Sequence, residues 1–174
     1  MKKKCLIFDI DGVLCDPSDR QKKYIDFDAK AKGDKKSYYD SIESYNKADH
    51  KKDKVLALGK NLYEWSIQQY QPDKIFIVTA RFTDTKFKTK QWLKHYGFFK
   101  DNVILVMRPV VNSEDYETKL QKIHDKSKYK KDVALKIMKE YEILLAVDDK
   151  MDNCQEYKKL NIPTIHLIAC ELPL

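Results

Sequence analysis

The sequence predicts an α/β fold, in which a Rossmann-like parallel sheet carries helices on both faces. Five short apolar runs (CLIF, IFIV, VILVM, ILLAV and TIHLI) recur along the chain, each ends in polar residues, and helical periodicity lies between them. Continuous apolar runs of this length are typical of strands that are buried on both faces of a parallel sheet. With 174 residues, of which 43% are hydrophobic, the chain is long enough for one domain with its own core.

We therefore expect residues 1–174 to form a single domain, with helices at residues 54–70, 85–96, 131–141 and 153–160. The apolar stripe of the second helix consists of Phe87, Trp92, Leu93 and Tyr96. Gly97 is well placed to end that helix. The third helix has its stripe at Val133, Ala134, Ile137, Met138 and Tyr141. Stripes of this kind indicate packing against the sheet.

Residues 16–52 fit this alternation poorly. The segment is charged, contains several tyrosines and has no long apolar run. It is therefore predicted as an insertion after the first strand, either a small cap over the sheet edge or a loop.

Composition argues against several classes of protein. No stretch approaches the ~20 apolar residues that span a bilayer, so we expect a cytoplasmic protein without membrane contact. The four cysteines form no C-x-x-C motif, which disfavours zinc ribbons and disulfide scaffolds. The net charge of +7 suits an anionic partner, but 27 Asp and Glu residues are mixed among the lysines, and the least balanced tract is residues 119–131. The four glycines are placed so that no P-loop or G-x-G-x-x-G fingerprint can be written.

The candidate site lies at the carboxyl ends of the predicted strands, where open parallel sheets bind ligands. The residues that follow the apolar runs there are Asp9, Asp11, Thr79, Arg81, Arg108, Asp148 and Asp149. Four carboxylates at one sheet edge would repel one another unless a cation neutralised them. Because Mg²⁺ prefers oxygen ligands of this kind, the sequence predicts a magnesium site.

The same residue types fit phosphoryl transfer. Asp9 could attack phosphorus as a nucleophile, if a metal and fixed cations offset the repulsion between the two anions. Asp11 could protonate the leaving oxygen and then activate water. Gly12 would allow a sharp turn beside the phosphate, and Thr79 could donate a hydrogen bond to it. A lysine would complete the charge balance.

Each motif has an ordinary explanation when it is taken alone. D-x-D-G also occurs in calcium loops and turns, the pair Asp148 and Asp149 could cap a helix, and threonine commonly ends a strand. The order of the motifs and their shared sheet edge carry the prediction.

In this order and at roughly this spacing, IFDIDGVLCD, IVTAR, YKKDVALKIM and AVDDKMDN resemble the four motifs of haloacid dehalogenase superfamily phosphatases. The resemblance covers nearly the whole chain. It implies that Asp9 is the phosphorylated nucleophile, Asp11 the acid and base, and Thr79 the second-motif hydroxyl. The third-motif lysine would be Lys130, with Lys131 beside it as the alternative. The implied ligands of Mg²⁺ are Asp9, the Asp11 carbonyl, Asp148 and Asp149.

A narrower resemblance lies within this superfamily. DPSDR, TARF, LVMRP and DDK look like the corresponding segments of the 3′-phosphatase domain of phage polynucleotide kinases and its stand-alone relatives. This resemblance implies that the substrate is a 3′-phosphate end of DNA or RNA. The chain departs from the usual pattern at Val13 and Lys150.

Arginine is rare in this chain, and all three arginines fall beside the predicted site loops: Arg20, Arg81 and Arg108, among 34 Lys and Arg residues. A guanidinium grips two oxygens of one phosphate or carboxylate, which an ammonium cannot do. We therefore expect Arg20 and Arg81 to hold the substrate's phosphates, with Arg108 at the rim. Gly12 and Ala80 complete the predicted substrate-binding set. The alternative is that an arginine pins an acidic loop residue.

Three functions remain open at this point. The first is a Mg²⁺-dependent phosphomonoesterase that acts on 3′-phosphate ends of nucleic acid through an aspartyl phosphate. The second is the same chemistry on free nucleotides, other small phosphate esters or phosphoproteins. The third is a nucleic-acid-binding module with an inactive site, which the loss of the nucleophile, the lysine or a metal carboxylate would indicate. None of these residues is missing.

Overall fold

The computed structural model describes residues 2–48, 50–110, 118 and 125–168. Its main sheet consists of β1 (Lys3–Phe8), β4 (Lys74–Phe82), β5 (Val103–Arg108), β6 (Tyr141–Asp148) and β7 (Thr164–His166). The strands are all parallel and lie in the order β5-β4-β1-β6-β7. They coincide with the five apolar runs, so the predicted α/β class is confirmed. Within the described residues, no helix has the length and apolar character that crossing a membrane requires.

The side chains of β1 alternate between two cores, one on each face of the sheet. Leu6 and Phe8 pack on the face covered by α4 (Ala57–Tyr70) and α5 (Lys86–His95). Cys5 and Ile7 pack on the face covered by α6 (Lys126–Ile137) and α7 (Met151–Lys159). All four side chains are at most 1% exposed. The central strand is therefore buried on both sides, which explains its unbroken apolar run.

Three helix boundaries were predicted wrongly, two of them because neighbouring residues pair as strands. Lys54–Val55 forms a short strand, β3, that pairs with β2 (Cys15–Asp16), so α4 begins only at Ala57. The third predicted helix, residues 131–141, instead begins at Lys126 and ends at Ile137. Tyr141 starts β6, where it lies opposite Lys3 of β1.

The stripe predicted for α5 was correct at Trp92 and Leu93, which are buried, and wrong at Phe87, which is 73% exposed. Five positions correspond to about 1.4 helical turns, so Phe87 and Trp92 cannot share a face. Gly97 adopts a φ of 81° just after the helix, as its predicted stop position requires.

The segment predicted as an insertion contains three helices, α1 (Ser18–Tyr24), α2 (Phe27–Lys32) and α3 (Lys35–Lys47), followed by a 3-10 turn at His50–Lys52. We call these three helices the cap. Asp26 and Asp34 start α2 and α3, since their carboxylates accept hydrogen bonds from the backbone of Ala29 and Ser37. The antiparallel pair β2 and β3 joins the two ends of the insertion beside β1.

Gly59 lets α4 pack closely against the loop that follows β1. A Cβ at this position would lie 1.6 Å from the backbone carbonyl oxygen of Val13. Alanine is favoured over glycine in a helix by about 1 kcal/mol, whereas overpacking costs about 1–3 kcal/mol. We therefore expect Gly59→Ala to lower the free energy of unfolding and the urea midpoint.

The matched control is Asn61→Ala, at an exposed position of the same helix, which should leave the midpoint unchanged or raise it. A Gly59→Ala midpoint equal to that of Asn61→Ala would show that α4 can move away from Val13 without cost.

Candidate active site

Three carboxylates meet where β1 and β6 end. Asp9 follows β1, Asp148 ends β6, and Asp149 is the next residue. The two strands are parallel neighbours, with Phe8 opposite Val147, so their ends lie side by side. One oxygen of each of the three carboxylates lies within 4.8 Å of the others. The shared sheet edge predicted from the sequence therefore brings these three residues together.

Lys130, in α6, lies between two of these carboxylates. Its ammonium is 2.7 Å from Asp9 and 2.5 Å from Asp148, and the residue is 1% exposed. Burial alone would lower the pKa of Lys130, but the two carboxylates outweigh it and hold the pKa well above its usual range. Lys131 instead pairs with Glu156 at 2.6 Å. Of the two candidate lysines, only Lys130 is at the site.

Asp148 is held in place by groups that the sequence analysis did not single out. One of its oxygens accepts hydrogen bonds from the backbone N–H of Lys150 at 3.0 Å and from the side-chain amide of Asn153 at 2.8 Å. Asn153 is buried near the start of α7. Asn153 is the last residue of the fourth motif, AVDDKMDN, and this position is the signal that could have indicated it.

Both the backbone conformation at position 12 and the close contacts around it require glycine. Its φ is 82°, and a Cβ there would lie 2.4 Å from a carboxylate oxygen of Asp149. Any side chain at this position would therefore be strained and would collide with Asp149. The predicted sharp turn after Asp11 is thus also a point of close contact between two site loops.

The cluster of Asp9, Asp148 and Asp149 could hold a metal ion. Burial, together with the charges of Asp148 and Asp149, raises the pKa of Asp9 to about 7, although Lys130 opposes the shift. The buried ammonium of Lys130 and the largely exposed ammonium of Lys150, which lies 2.8 Å from Asp149, supply two positive charges against three carboxylates. A divalent cation would supply the missing charge, and carboxylate oxygens suit a hard cation.

The carboxylate of Asp11 belongs to a second cluster. The Arg81 Nε and Nη2 atoms lie 2.8 and 2.7 Å from its two oxygens, and the Arg20 Nη2 atom lies 2.9 Å from one of them. Burial alone would raise the pKa of Asp11, but the charges and hydrogen bonds of Arg81 and Arg20 outweigh burial and hold the pKa well below its usual range. In this state Asp11 is an ionised carboxylate.

Asp53 completes the second cluster and was not predicted. Its two oxygens accept hydrogen bonds from Arg20 Nε and Nη2 at 2.9 and 2.8 Å, and one of them also accepts from Arg81 Nη2 at 3.0 Å. Two guanidiniums thus balance two carboxylates. In the sequence Asp53 stands among lysines, in KKDK, and looks like a surface residue. Only the pairing of β2 with β3 brings it beside Asp11.

A bulge in β4 aims Arg81 at the site. Thr79 lies opposite Met107 of β5, but the next pair is Phe82 with Arg108, so Ala80 and Arg81 are extra residues in β4. The backbone N–H of Arg81 donates to Thr79 Oγ1 at 3.2 Å. The strand thus continues beyond Thr79, where the apolar run ends, to Phe82.

The structure separates the roles of Arg20 and Arg81. All three guanidinium nitrogens of Arg20 have protein partners: Asp53, Asp11 and the Tyr45 carbonyl. Arg20 does not line the cavity. It pins the carboxylates of Asp53 and Asp11, which is the alternative role given for an arginine in the sequence analysis. Arg81 does line the cavity, and its Nη1 atom is buried without a hydrogen-bond partner among the described residues. One nitrogen of Arg81 is thus left for a ligand.

The two clusters face a cavity of about 170 Å³ between the sheet edge and the cap. Predicted residues in its wall are Asp9, Asp11, Thr79, Ala80, Arg81, Arg108, Lys130 and Asp149. Lys126, which was not predicted, lines the cavity one helical turn before Lys130, and that four-residue spacing in α6 is a signal that could have found it. Arg108 lies over the rings of Phe82 and Tyr129, at 5.8 and 6.0 Å from their centroids.

No model of a known protein family matches the chain, and no curated protein matches its sequence. Among solved structures, the chain is similar to one chain of the Pnkp1/Rnl/Hen1 RNA repair complex, with a TM-score of 0.58 and 14% identity. That match covers 98% of this chain and 44% of the other, so this chain spans less than half the length of its relative.

Two further structures are similar over most of both chains. One is a haloacid dehalogenase-like hydrolase from Streptococcus pneumoniae, with a TM-score of 0.52, 15% identity, and coverage of 93% of this chain and 83% of that one. The other is the haloacid dehalogenase domain of the effector Lem4 from Legionella pneumophila, with a TM-score of 0.50, 17% identity, and coverage of 98% and 88%. The chain therefore has the haloacid dehalogenase fold, as its motifs predicted.

The charge balance of the second cluster makes Asp53 important for stability. Removing one member of a buried ion pair leaves an uncompensated charge and costs about 3–5 kcal/mol. We expect Asp53→Asn to lower the free energy of unfolding by about this amount, because Arg20 and Arg81 would then share the single charge of Asp11. Urea denaturation followed by circular dichroism measures the change.

Asp19→Asn is the matched control, since Asp19 pairs with Lys54 at 3.2 Å at the surface with 75% of its side chain exposed. That variant should have nearly wild-type stability because solvent screens exposed pairs. If both variants lost the same small amount, the Asp53 pair would be contributing no more than a surface contact.

Proposed function

We propose that this protein is a Mg²⁺-dependent phosphomonoesterase that removes 3′-phosphate from nucleic-acid ends through an aspartyl phosphate on Asp9. The observation that carries the proposal is the arrangement of the cavity wall. A buried carboxylate in contact with a buried ammonium, Asp9 with Lys130, lines the same cavity as Asp11 and the unpartnered nitrogen of Arg81.

In the first step Asp9 attacks phosphorus, an Asp9–phosphorus bond forms, and the bond between phosphorus and the leaving oxygen breaks. One oxygen of Asp9 accepts a hydrogen bond from the backbone of Ile10 at 2.8 Å, and the other contacts Lys130. Lys130, Thr79 and the Nη1 atom of Arg81 are the groups that would stabilise the charge on the transferred phosphoryl oxygens.

Asp11 protonates the leaving oxygen and then accepts a proton from the water that hydrolyses the aspartyl phosphate. This role requires the ionised Asp11 to gain a proton first. A phosphate dianion in the cavity favours that change, because it repels the Asp11 carboxylate and competes with it for Arg81. The ion pairs of Asp11 thus describe a resting state, and substrate binding loosens them.

A magnesium ion fits the carboxylates of Asp9, Asp148 and Asp149, with the Asp11 carbonyl as a further ligand. When bound, it would reduce the repulsion between Asp9 and the phosphate. The Asp11 carboxylate is not part of this ligand set, since it is occupied by Arg20 and Arg81.

A nucleic-acid end as substrate is supported by two observations. Arg108, Lys126 and Lys150 add positive charge to the cavity wall beyond the phosphoryl site. The similar chain, which this chain matches over 98% of its own length, belongs to an RNA repair complex. A protein partner of the same kind is a corollary of this proposal.

A small phosphate ester is the second candidate substrate, because cap residues also line the cavity and reduce its opening. Tyr38 and Ile42 of α3 belong to its wall. An inactive nucleic-acid-binding module is disfavoured, since Asp9, Lys130 and the Asp148–Asp149 pair are all present and in contact or within 4.8 Å of one another.

A substrate panel tests the proposal. We expect hydrolysis of 3′-phosphorylated oligonucleotides with Mg²⁺, no hydrolysis in EDTA, and recovery when Mg²⁺ is added back. 3′-mononucleotides and p-nitrophenyl phosphate should react with a lower kcat/KM. Asp9→Asn should fall below about 1% of wild-type activity, because the amide cannot act as the nucleophile. Full activity of metal-stripped enzyme, or clear turnover by Asp9→Asn, would refute the mechanism, and a preference for mononucleotides would favour the second candidate.

Arg81→Lys tests whether the fork of Arg81 matters beyond its charge. A lysine keeps the charge but cannot bind both oxygens of Asp11 and still offer a nitrogen to the phosphate. A charge-assisted hydrogen bond is worth roughly 1.5–3 kcal/mol, which corresponds to about a tenfold to 150-fold loss in kcat/KM. We expect Arg81→Lys to lose nearly as much as Arg81→Ala, on both oligonucleotide and p-nitrophenyl phosphate substrates, in variants that remain folded by circular dichroism. A lysine variant within threefold of wild type would show that only the charge is needed.

A further inference from the structure

The part of the cavity wall that the cap provides carries no charged side chain among the residues described as lining it. These residues are Gln21, Ile25, Tyr38, Ile42, Tyr45 and Asn46. The cations in the wall, by contrast, all come from the sheet side: Arg81, Arg108, Lys126, Lys130 and Lys150. The carboxylates of Asp9, Asp11 and Asp149 lie on the same side as these cations. The cavity is thus polarised, with a charged side against the sheet and an apolar and amide side against the cap.

The position of Asp11 indicates which part of an ester faces the cap. The group that protonates the leaving oxygen must lie beside the leaving group. Arg20 links Asp11 to α3, because it binds the Asp11 carboxylate at 2.9 Å and donates to the Tyr45 carbonyl at 3.3 Å. Its guanidinium also lies 4.1 Å from the centroid of the Tyr45 ring. The leaving group is therefore directed towards α3.

Four of the cap residues that line the cavity lie on one face of α3. Tyr38, Ile42, Tyr45 and Asn46 are spaced at intervals of four, three and one residues, so they project from the same side of the helix. Tyr38 is half-buried, and the Lys30 ammonium lies 5.7 Å from the centroid of its ring, which helps to hold it. We call these four residues the α3 face.

We propose, building on the phosphatase function proposed above, that the α3 face binds the terminal nucleoside of the substrate, with the base stacked on Tyr38 and a hydrogen bond from the Asn46 amide. The α3 face carries an aromatic ring at Tyr38, against which the Lys30 ammonium packs, and an amide at Asn46 about two helical turns further along. These groups suit the flat base and the polar edge of a nucleoside. A sugar phosphate or a phosphorylated acid offers an aromatic side chain less flat apolar area than a nucleobase does. Tyr38 and Asn46 are thus specificity-determining residues for the leaving group.

The test compares two oligonucleotide 3′-phosphates that differ only in whether the last sugar carries a base. Stacking of one base on an aromatic side chain corresponds to about a fivefold to 150-fold effect on affinity. Wild-type enzyme should therefore have a lower KM for the base-bearing end. Tyr38→Ala should raise that KM by at least about fivefold and leave the abasic substrate nearly unchanged, and Tyr38→Phe should restore the preference.

Tyr39→Ala is the matched control, because Tyr39 is the next residue of α3 and does not line the cavity. It should leave both KM values unchanged. Asn46→Ala provides a second variant, whose effect should also be confined to the base-bearing end. Equal losses on both substrates, or no loss on either, would overturn the inference while leaving the phosphatase proposal intact. If the wild type hydrolysed neither substrate, the proposed function would be refuted, and this inference with it.

Discussion

Pairing of buried charges is the constraint on which the rest of this site depends. Arg20, Asp53, Arg81, Lys130 and Asp148 are each at most 5% exposed. An unpaired charge in such a place would cost several kcal/mol, so each must find a partner within the protein. Arg20 and Asp53 stand at opposite ends of the segment predicted as an insertion, and their ion pair closes it beside β1. The cap is therefore held to the sheet edge by the same contacts that orient Asp11.

The two clusters differ in balance, and this difference separates the states of Asp9 and Asp11. Around Asp11, two guanidiniums face two carboxylates, so the pKa of Asp11 is held low. Around Asp9, one buried ammonium faces three carboxylates, and the pKa of Asp9 is raised to about 7, with burial as the largest cause. The pKa values of two aspartates that are only two residues apart are thus shifted in opposite directions. The carboxylates around Asp9 leave room for the further positive charge of a metal ion, whereas Asp11 must lose ion pairs before it can carry a proton.

The sequence allowed the strands and the cavity residues at the strand ends to be predicted because both follow from local order. Apolar runs mark strands that are buried on two faces, and Asp9, Thr79 and Asp148 come directly after them. The carboxylates that bind the arginine guanidinium groups could not be predicted in this way. A guanidinium fits a phosphate and a carboxylate equally well, so Arg20 gives no sign of its partner. That partner, Asp53, depends on the pairing of β2 with β3, and the two strands are only two residues long each.

Arg20 gives a physical reason why recognition by the cap and proton transfer by Asp11 should be coupled. Its guanidinium binds Asp11 and Asp53 and also contacts the carbonyl and ring of Tyr45 in α3. A displacement of α3 would therefore shift Arg20, and a shift of Arg20 would change the charge next to Asp11. Since ion pairs weaken steeply with distance in a buried site, a small movement is sufficient to alter the pKa of Asp11. Under the proposed mechanism, occupation of the cavity beside α3 would therefore act on the proton acceptor Asp11 through Arg20, a side chain that does not line the cavity.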